Sequence, residues 1–415
     1  MTHPSLPVFD PEPLRRSTFA ERLQSKIFLH PISMLALRRL RPISFLAQAL
    51  FKVRIISRYD DTREALRHPD VFGVPWEAKM QIQAATRQPF ILATDDPAAH
   101  ACAEHRIMKV FRYDDGPRIT KVAAGAARSI VNSAASELDV VRDLIMQVQF
   151  QIYRTYYGLE TPSDLALWLM AVSNYTFRRI GPDDEAKPAA LAGIARVGAL
   201  VDRAVLRAKA GDGGDTIAAR LVALQAVHSG FPDDALRSTF IGMVAGYAPV
   251  ATSAASNILE VLLERPRAFA AAQQAARDDD DELLTRCLLE ALRFRPINPG
   301  LWRICRRDFT LAAGTSQPTR VRQGERVLVF LQSAMQDETQ LRHPWRFDPQ
   351  RPPSDSMVFG YGMHWCVGAP LAIAQLAPTL KPLLVRGFRR APGPKGRTRR
   401  FGVFPEHLTL CLSQG

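Results

Sequence analysis

One cysteine constrains this chain more than any other residue. Cys366 sits in the run Phe359-Gly360-Tyr361-Gly362-Met363-His364-Trp365-Cys366-Val367-Gly368, and Ala369-Pro370-Leu371-Ala372 then opens a mostly apolar stretch to Val385. Glycine carries no side chain, so a loop framed by Gly360, Gly362 and Gly368 lets the backbone pass close to something large and flat. The N–H groups at the start of the following helix point at the sulfur and favour its anion. A closed zinc site needs several nitrogen or sulfur ligands, and this cysteine has no partner nearby. What remains is a thiolate for haem iron, a nucleophile, or a buried structural cysteine.

The five cysteines, Cys102, Cys287, Cys305, Cys366 and Cys411, are scattered, odd in number and without paired spacing. That pattern argues against a disulfide framework and predicts a reducing, cytoplasmic setting. A hydrophobic fraction of 47% and a charged fraction of 23% are those of an ordinary soluble globular protein. The net charge of +13 predicts acidic partners. Nucleic acid is not expected among them, because Lys and Arg are spread along the chain without a zinc finger, a basic coil or an interleaved aromatic platform.

Asp10, Glu12, Arg15 and Arg16 precede any apolar stretch, so no signal peptide or membrane anchor is expected. Residues 27 to 51 are apolar but interrupted by Arg38, Arg39 and Arg41, a pattern that favours a surface helix over a peripheral membrane contact. Phe240 to Leu259 is a run of twenty uncharged residues. It contains Gly242, Gly246, Pro249 and Asn257, and reads as a buried central helix rather than a membrane span.

Val53 to Ser57 alternates like a strand, and Asp60 and Asp61 can cap a short helix through about His68. From Pro97 to about Ala226 the pattern is helical, broken at Asp114-Asp115-Gly116-Pro117, Thr161-Pro162, Gly181-Pro182-Asp183 and Gly211-Asp212-Gly213-Gly214. Asp233 and Asp234 open a long apolar helix that Arg265-Pro266 ends near Glu264. A helix over Asp281 to Phe294, strands within Leu301 to Leu311 and Val327 to Leu331, and short strands near Gly402 and Leu408 to Leu412 complete the reading. The fold class is mainly α with a small β-rich lobe, one fold across residues 1–415 without repeat or linker.

At its cysteine loop the chain resembles the cytochrome P450 family of haem-thiolate oxygenases. The resemblance implies that Cys366 is the axial ligand of the iron of a haem b, that Phe359 packs beside the sulfur, that Gly368 lies against the cofactor, and that His364 points at a haem propionate. It extends to Glu290 and Arg293, three apart on one helix face, and to Arg346 in Pro344-Trp345-Arg346-Phe347. Those three would form a buried ion network that holds the loop. Arg303, in Leu301-Trp302-Arg303-Ile304, matches the propionate-binding arginine, as bidentate guanidinium geometry suits. His100, in Asp96-Pro97-Ala98-Ala99-His100, matches a second propionate contact. Glu104 stands where the family usually has arginine, which leaves Arg106 as a weak substitute.

The central helix resembles the family's distal helix at Ala245-Gly246, but the acid and alcohol that normally follow after one more residue are here Ala248 and Pro249, behind Tyr247. Those groups ordinarily relay protons for cleavage of dioxygen, and neither Ala nor Pro can carry one. Pro249 also removes a backbone donor and should kink the helix, freeing the carbonyl of Ala245. Tyr247 is then the nearest hydrogen-bond donor, while Thr252 and Ser253 lie about a turn too late.

The family resemblance implies a monomeric haem-thiolate monooxygenase of secondary metabolism. It would oxidise a hydrophobic small molecule with dioxygen and electrons from a ferredoxin or flavodoxin. The missing relay keeps a second haem-thiolate chemistry in view, namely peroxide-driven oxidation, hydroperoxide rearrangement or nitric oxide reduction, and behind it a non-catalytic haem-binding sensor. Substrate would be read by residues 70 to 95, by Ser173 to Leu200, and by Tyr247, Val244 and Pro299. Lys109, Arg112, Arg342 and Arg351 would offer a basic docking face to the electron donor.

Overall fold

A computed structural model describes residues 8–12, 53–84, 88, 90–177, 187–228 and 230–413. The expected surface helix at residues 27 to 51 and the break at Gly181-Pro182-Asp183 lie outside the described residues.

Among the described residues the first elements are β1 (Val53–Ile56), α1 (Tyr59–Arg67), β2 (Phe72–Gly73) and α2 (Glu77–Ala84). Then come α3 (Pro97–Val110), α4 (Gly116–Ser133), β3 (Glu137–Asp139), α5 (Met146–Ile152), α6 (Leu165–Phe177), α7 (Lys187–Lys209) and α8 (Ile217–Val227). The centre is α9 (Asp233–Ala245) and α10 (Ala248–Glu264), followed by α11 (Pro266–Arg277) and α12 (Asp281–Phe294). The last third holds β4 (Leu301–Cys305), β5 (Phe309–Leu311), β6 (Thr319–Val321), β7 (Arg326–Val329), α13 (Leu331–Ala334), α14 (Ala369–Arg386), β8 (Phe388–Arg390), β9 (Arg399–Phe401), β10 (Phe404–His407) and β11 (Thr409–Leu412). No described helix is long and apolar enough to cross a membrane.

Mainly helical architecture with a small strand-rich lobe is what the sequence predicts. In the lobe, β1 pairs parallel with β7, β7 antiparallel with β4, and β4 antiparallel with β2. A buried apolar cluster that includes Phe72, Val327 and Met357 fills it. The helices share a larger core that includes Tyr153, Phe240 and Leu380, with α14 packed most extensively on α4. Among the described residues of the expected helical span Pro97 to Ala226 lies one strand, β3, which pairs with β11. Three residues whose partner lies so far along the chain leave no local periodicity to read.

The expected single central helix is two helices, α9 and α10, with Gly246 and Tyr247 between them. Pro249 has no N–H to give the Ala245 carbonyl, and Ser173 Oγ donates to that carbonyl at 2.7 Å instead. One residue earlier, the Tyr153 hydroxyl is inserted in the ladder: it donates to the Val244 carbonyl at 2.6 Å and accepts from the Ala248 N–H at 3.1 Å. Two hydroxyls thus satisfy buried groups that a continuous helix would pair with itself.

Candidate active site

The central cavity, of about 1140 Å³, is larger than the range of roughly 300–1,000 Å³ common for a single small ligand. Its walls come from α3, from the α9–α10 junction, from β4 and from the cysteine loop, and include His100, Gly246, Tyr247, Arg303, Phe359 and Cys366. The loop is pinned at its back. The Cys366 N–H donates to the Phe359 carbonyl at 2.9 Å, and Gly360 and Gly362 hold positive φ angles of 81° and 71°. A Cβ on Gly362 would lie 2.3 Å from the Leu66 carbonyl oxygen, so this close approach requires glycine.

The Cys366 side chain is exposed, but it is exposed into this cavity. The surrounding walls push the thiol pKa up, while the N–H groups of Gly368 and Ala369 draw it back toward the thiolate. A Cβ on Gly368 would stand 3.9 Å from Sγ. Phe359 packs beside the loop, its ring centroid 6.4 Å from that of Trp365.

Arg303 is the clearest sign of an absent partner. Its side chain is buried in the cavity wall, makes one hydrogen bond, to the Trp302 carbonyl at 2.8 Å, and forms no ion pair among the described residues. Burial pulls its pKa down to about 10. An unpaired buried cation is costly and calls for an anion.

Near it in the cavity wall His100 and His364 meet edge to face, with ring centroids 5.0 Å apart. His364 Nε2 stands 3.1 Å from Asp95 Oδ1, and Nδ1 is buried with no partner. Burial raises the Asp95 pKa, but hydrogen bonds from His364, Arg306 and the Val74 N–H outweigh it and hold the carboxyl below its usual range. Burial also lowers the pKa of His100, helped by the neighbouring His364.

These observations fit a flat, iron-bearing macrocycle with carboxylate arms. A lone sulfur opens into a cavity where a buried guanidinium lacks a counter-ion and an imidazole lacks a partner, and no described cluster of three His, Cys, Asp or Glu residues could hold a bare metal ion.

The structural network is built as the sequence predicts on one side only. Arg293 donates to both carboxylate oxygens of Glu290 at 2.8 Å and to the Met335 carbonyl at 2.8 Å. Arg346 contributes its backbone carbonyl, 3.4 Å from Arg293 Nη2, while its side chain is exposed. The second cation is Arg351, whose Nε lies 3.5 Å from Glu290 Oε1 with its side chain only 7% exposed. Arg351 therefore faces inward, whereas Lys109, Arg112 and Arg342 are exposed. The sequence signal for Arg351 was weak, because its turn, closed by Arg351 N–H to the Asp348 carbonyl, is irregular.

Further expectations are corrected for Arg106 and for Val244, Ala245, Ala248 and Pro249, whereas Thr252 and Ser253 lie off the site as expected. Arg106 does not reach the cavity: it donates to the Gly230 carbonyl and lies over the Phe231 ring. Ala248 and Pro249 are buried and do not line the cavity, and Ala245 and Val244 likewise lie behind its surface. Thr252 and Ser253 turn away, to Met146 Sδ and the Pro249 carbonyl respectively. Tyr247 does line the cavity, with a buried hydroxyl that has no partner. The sequence reading missed Tyr153 and Tyr157, and it named Ser173 only as an end of a substrate segment, not as the donor to the Ala245 carbonyl. Tyr157 lines the cavity against Tyr247, their ring centroids 5.3 Å apart, and also carries an unpartnered buried hydroxyl. Of the expected substrate loops, Val74, Trp76, Phe90 and Asn174 reach the cavity, as does Pro299.

A cysteine loop of this build beneath a broken central helix defines a haem-thiolate oxygenase fold. Residues 215–400 match the family model described as Cytochrome P450. Cytochrome P450 107B1 of Saccharopolyspora erythraea is 26% identical over 85% of this chain and 87% of its own. Mycinamicin IV hydroxylase/epoxidase of Micromonospora griseorubida is 26% identical over 80% and 81%. The solved structure of CYP109E1 from Bacillus megaterium in complex with corticosterone superposes with a TM-score of 0.72 over 93% of this chain and 99% of that one, at 21% identity. The chain belongs to the cytochrome P450 family, whose members carry haem-thiolate iron, and is an oxidoreductase of the monooxygenase type.

Proposed function

We propose that this protein inserts one oxygen atom of dioxygen into an apolar small molecule, using a haem b held by the Cys366 thiolate and electrons from a separate ferredoxin or flavodoxin. The carrying observation is that Cys366 Sγ opens into the same cavity in which Arg303 is a buried cation without a counter-ion. Bound haem supplies the activation of dioxygen that no side chain of the cavity can perform. Arg303, His100 and the free Nδ1 of His364 would take its carboxylates, with Asp95 fixing the other nitrogen of His364. Phe359 and Gly368 would shape the sulfur side, and Gly246, with Ala245 behind it, the opposite face.

Proton handling falls to the chain's remaining donors. Ala248 and Pro249 carry no proton, so the unpartnered hydroxyls of Tyr247 and Tyr157 are the groups that could orient water in the cavity. The same substitution supports a second reading, oxidation driven by peroxide, which brings its own protons. Lys109, Arg112 and Arg342 remain as a basic face for an acidic electron donor. Residues 1–415 would act as one unit in the cytoplasm.

The test is the spectrum of the reduced protein with carbon monoxide. A Soret band strongly shifted to the red, abolished in Cys366→Ser, is expected; a wild type that binds no haem sinks the proposal. Product formation with a ferredoxin and its reductase, compared with hydrogen peroxide alone, separates the two readings, since turnover with peroxide only removes the first.

A further inference from the structure

The cavity wall carries a second group of arginines besides Arg303, namely Arg265, Arg295 and Arg400. Arg400 is the middle residue of β9, just before the turn Gly402-Val403, and it lines the cavity together with Asn174 of α6. A Cβ on Gly402, whose φ is +56°, would come within 2.8 Å of Asn174 Nδ2, so the turn is seated directly on that amide. Arg400 makes one hydrogen bond, to the Val403 carbonyl at 2.9 Å, and no ion pair among the described residues. Its side chain is exposed, and it lines the cavity.

Its charged neighbours are Glu260 and Arg295, whereas Arg303 feels Asp95. The two cations thus belong to different groups. Neither Glu260 nor Glu264 is spare for Arg400. Glu260 accepts from Arg295, Arg390 and Thr398, and Glu264 accepts two bonds from Arg295. With Arg265, Arg295, Arg390 and Arg400 against these two carboxylates, this end of the cavity holds an excess of positive charge.

We propose that Arg400 seats a carboxylate at one end of an otherwise apolar substrate. The assignment deepens the reading of the cavity as a monooxygenase site and rests on it. A guanidinium fork with most of its donors unused matches a carboxylate in two hydrogen bonds, and the Asn174 amide lies against the adjoining turn at Gly402. The apolar lining of the same cavity, including Phe90, Ile297 and Val250, would take the hydrocarbon body.

Isothermal titration of the haem-loaded protein tests it with matched probes, dodecanoate against dodecanamide and naphthalene-2-carboxylate against naphthalene-2-carboxamide. On at least one scaffold the acid is expected to bind at least about tenfold more tightly than the amide, the scale of one charge-assisted hydrogen-bonded contact. Arg400→Gln should erase that preference and Arg400→Lys keep part of it. Equal affinity, no binding on either scaffold, or a preference that survives Arg400→Gln overturns the proposal. Tighter binding of dodecyl phosphate than dodecanoate, lost in Arg400→Gln, overturns the carboxylate assignment in favour of a phosphate ester. The carbon monoxide spectrum of the same preparations reports folding and thiolate ligation separately, so failure of the monooxygenase reading is distinguishable from failure of the anion seat.

Discussion

Arg346 and Arg351 stand five residues apart, and only the second reaches Glu290. Removing one member of a buried ion group leaves the others uncompensated, so position in space rather than in the motif sets the cost. Arg351→Ala is expected to destabilise the protein by about 1–3 kcal/mol in urea unfolding, the scale of leaving a buried charged group short of a partner. Arg346→Ala should stay within about 0.5 kcal/mol of wild type, as an exposed site does. Equal losses would return Arg346 to the network. The Glu290 and Arg293 pair was legible because both residues lie on one helix with fixed spacing, and a regular helix turns spacing into geometry. The arginine from the irregular segment was not, since there a residue's direction depends on turns such as that at His343, whose φ is +46°.

At the scale of elements, proline shapes two helices by the same device. In α14, Pro378 cannot donate to the Ala374 carbonyl, and Thr120 Oγ1 of α4 donates to it at 2.9 Å. In α10, Pro249 leaves the Ala245 carbonyl to Ser173. The sequence foretold the kink, because a proline's missing donor is a local fact. It could not foretell which hydroxyl would answer, because Tyr153 and Ser173 arrive from helices brought there by packing. Tyr153 is the more testable. With its hydroxyl gone, Ala248 N–H and Val244 C=O could pair directly only if the helix closed, and the Pro249 ring opposes closure by its clash with the turn before it. Tyr153→Phe should therefore cost about 1–3 kcal/mol in the native background, since the buried Ala248 N–H goes unpaired while the Val244 carbonyl keeps only the Tyr247 N–H. In Pro249→Ala the same change should cost less, and a double-mutant cycle that gives additive effects would refute the coupling.

A second element-scale prediction concerns Asp115, between α3 and α4. It accepts from Arg220, 3.0 Å from Nη2, and from the Tyr156 hydroxyl at 2.7 Å. Burial raises its pKa, but the bonds from Arg220 and Tyr156 prevail and hold it below the usual carboxylate range. A depressed carboxyl contributes stability above its unfolded pKa of about 3.9 and loses it as pH falls through the folded value. Asp115→Asn should thus be less stable than wild type at pH 7 by about 3 kcal/mol, the cost of uncoupling one buried partner. The gap should narrow below about pH 4. A gap that is the same at pH 3 and pH 7 would remove the ion pair as its cause.

For the molecule as a whole, the cavity divides the protein's stability between chain and ligand. Burial lowers the pKa of Arg303 to about 10, so its charge opposes folding at neutral pH, by roughly 3 kcal/mol at 1.36 kcal/mol per unit. Below the folded pKa that penalty is present in full, because the unfolded chain holds the proton more tightly. An anion bound beside Arg303 repays it, and any group that binds only the folded form stabilises by mass action as well. The protein without haem is therefore expected to melt well below the loaded form. Arg303→Met should bring the two midpoints together from both directions, raising the bare protein by removing an unpaired cation and lowering the loaded one by removing a carboxylate partner. Differential scanning calorimetry of the four species reads this crossing directly. If Arg303→Met lowers the bare midpoint instead, the guanidinium is a structural member of the wall and the case for a carboxylate-bearing cofactor at that point is lost.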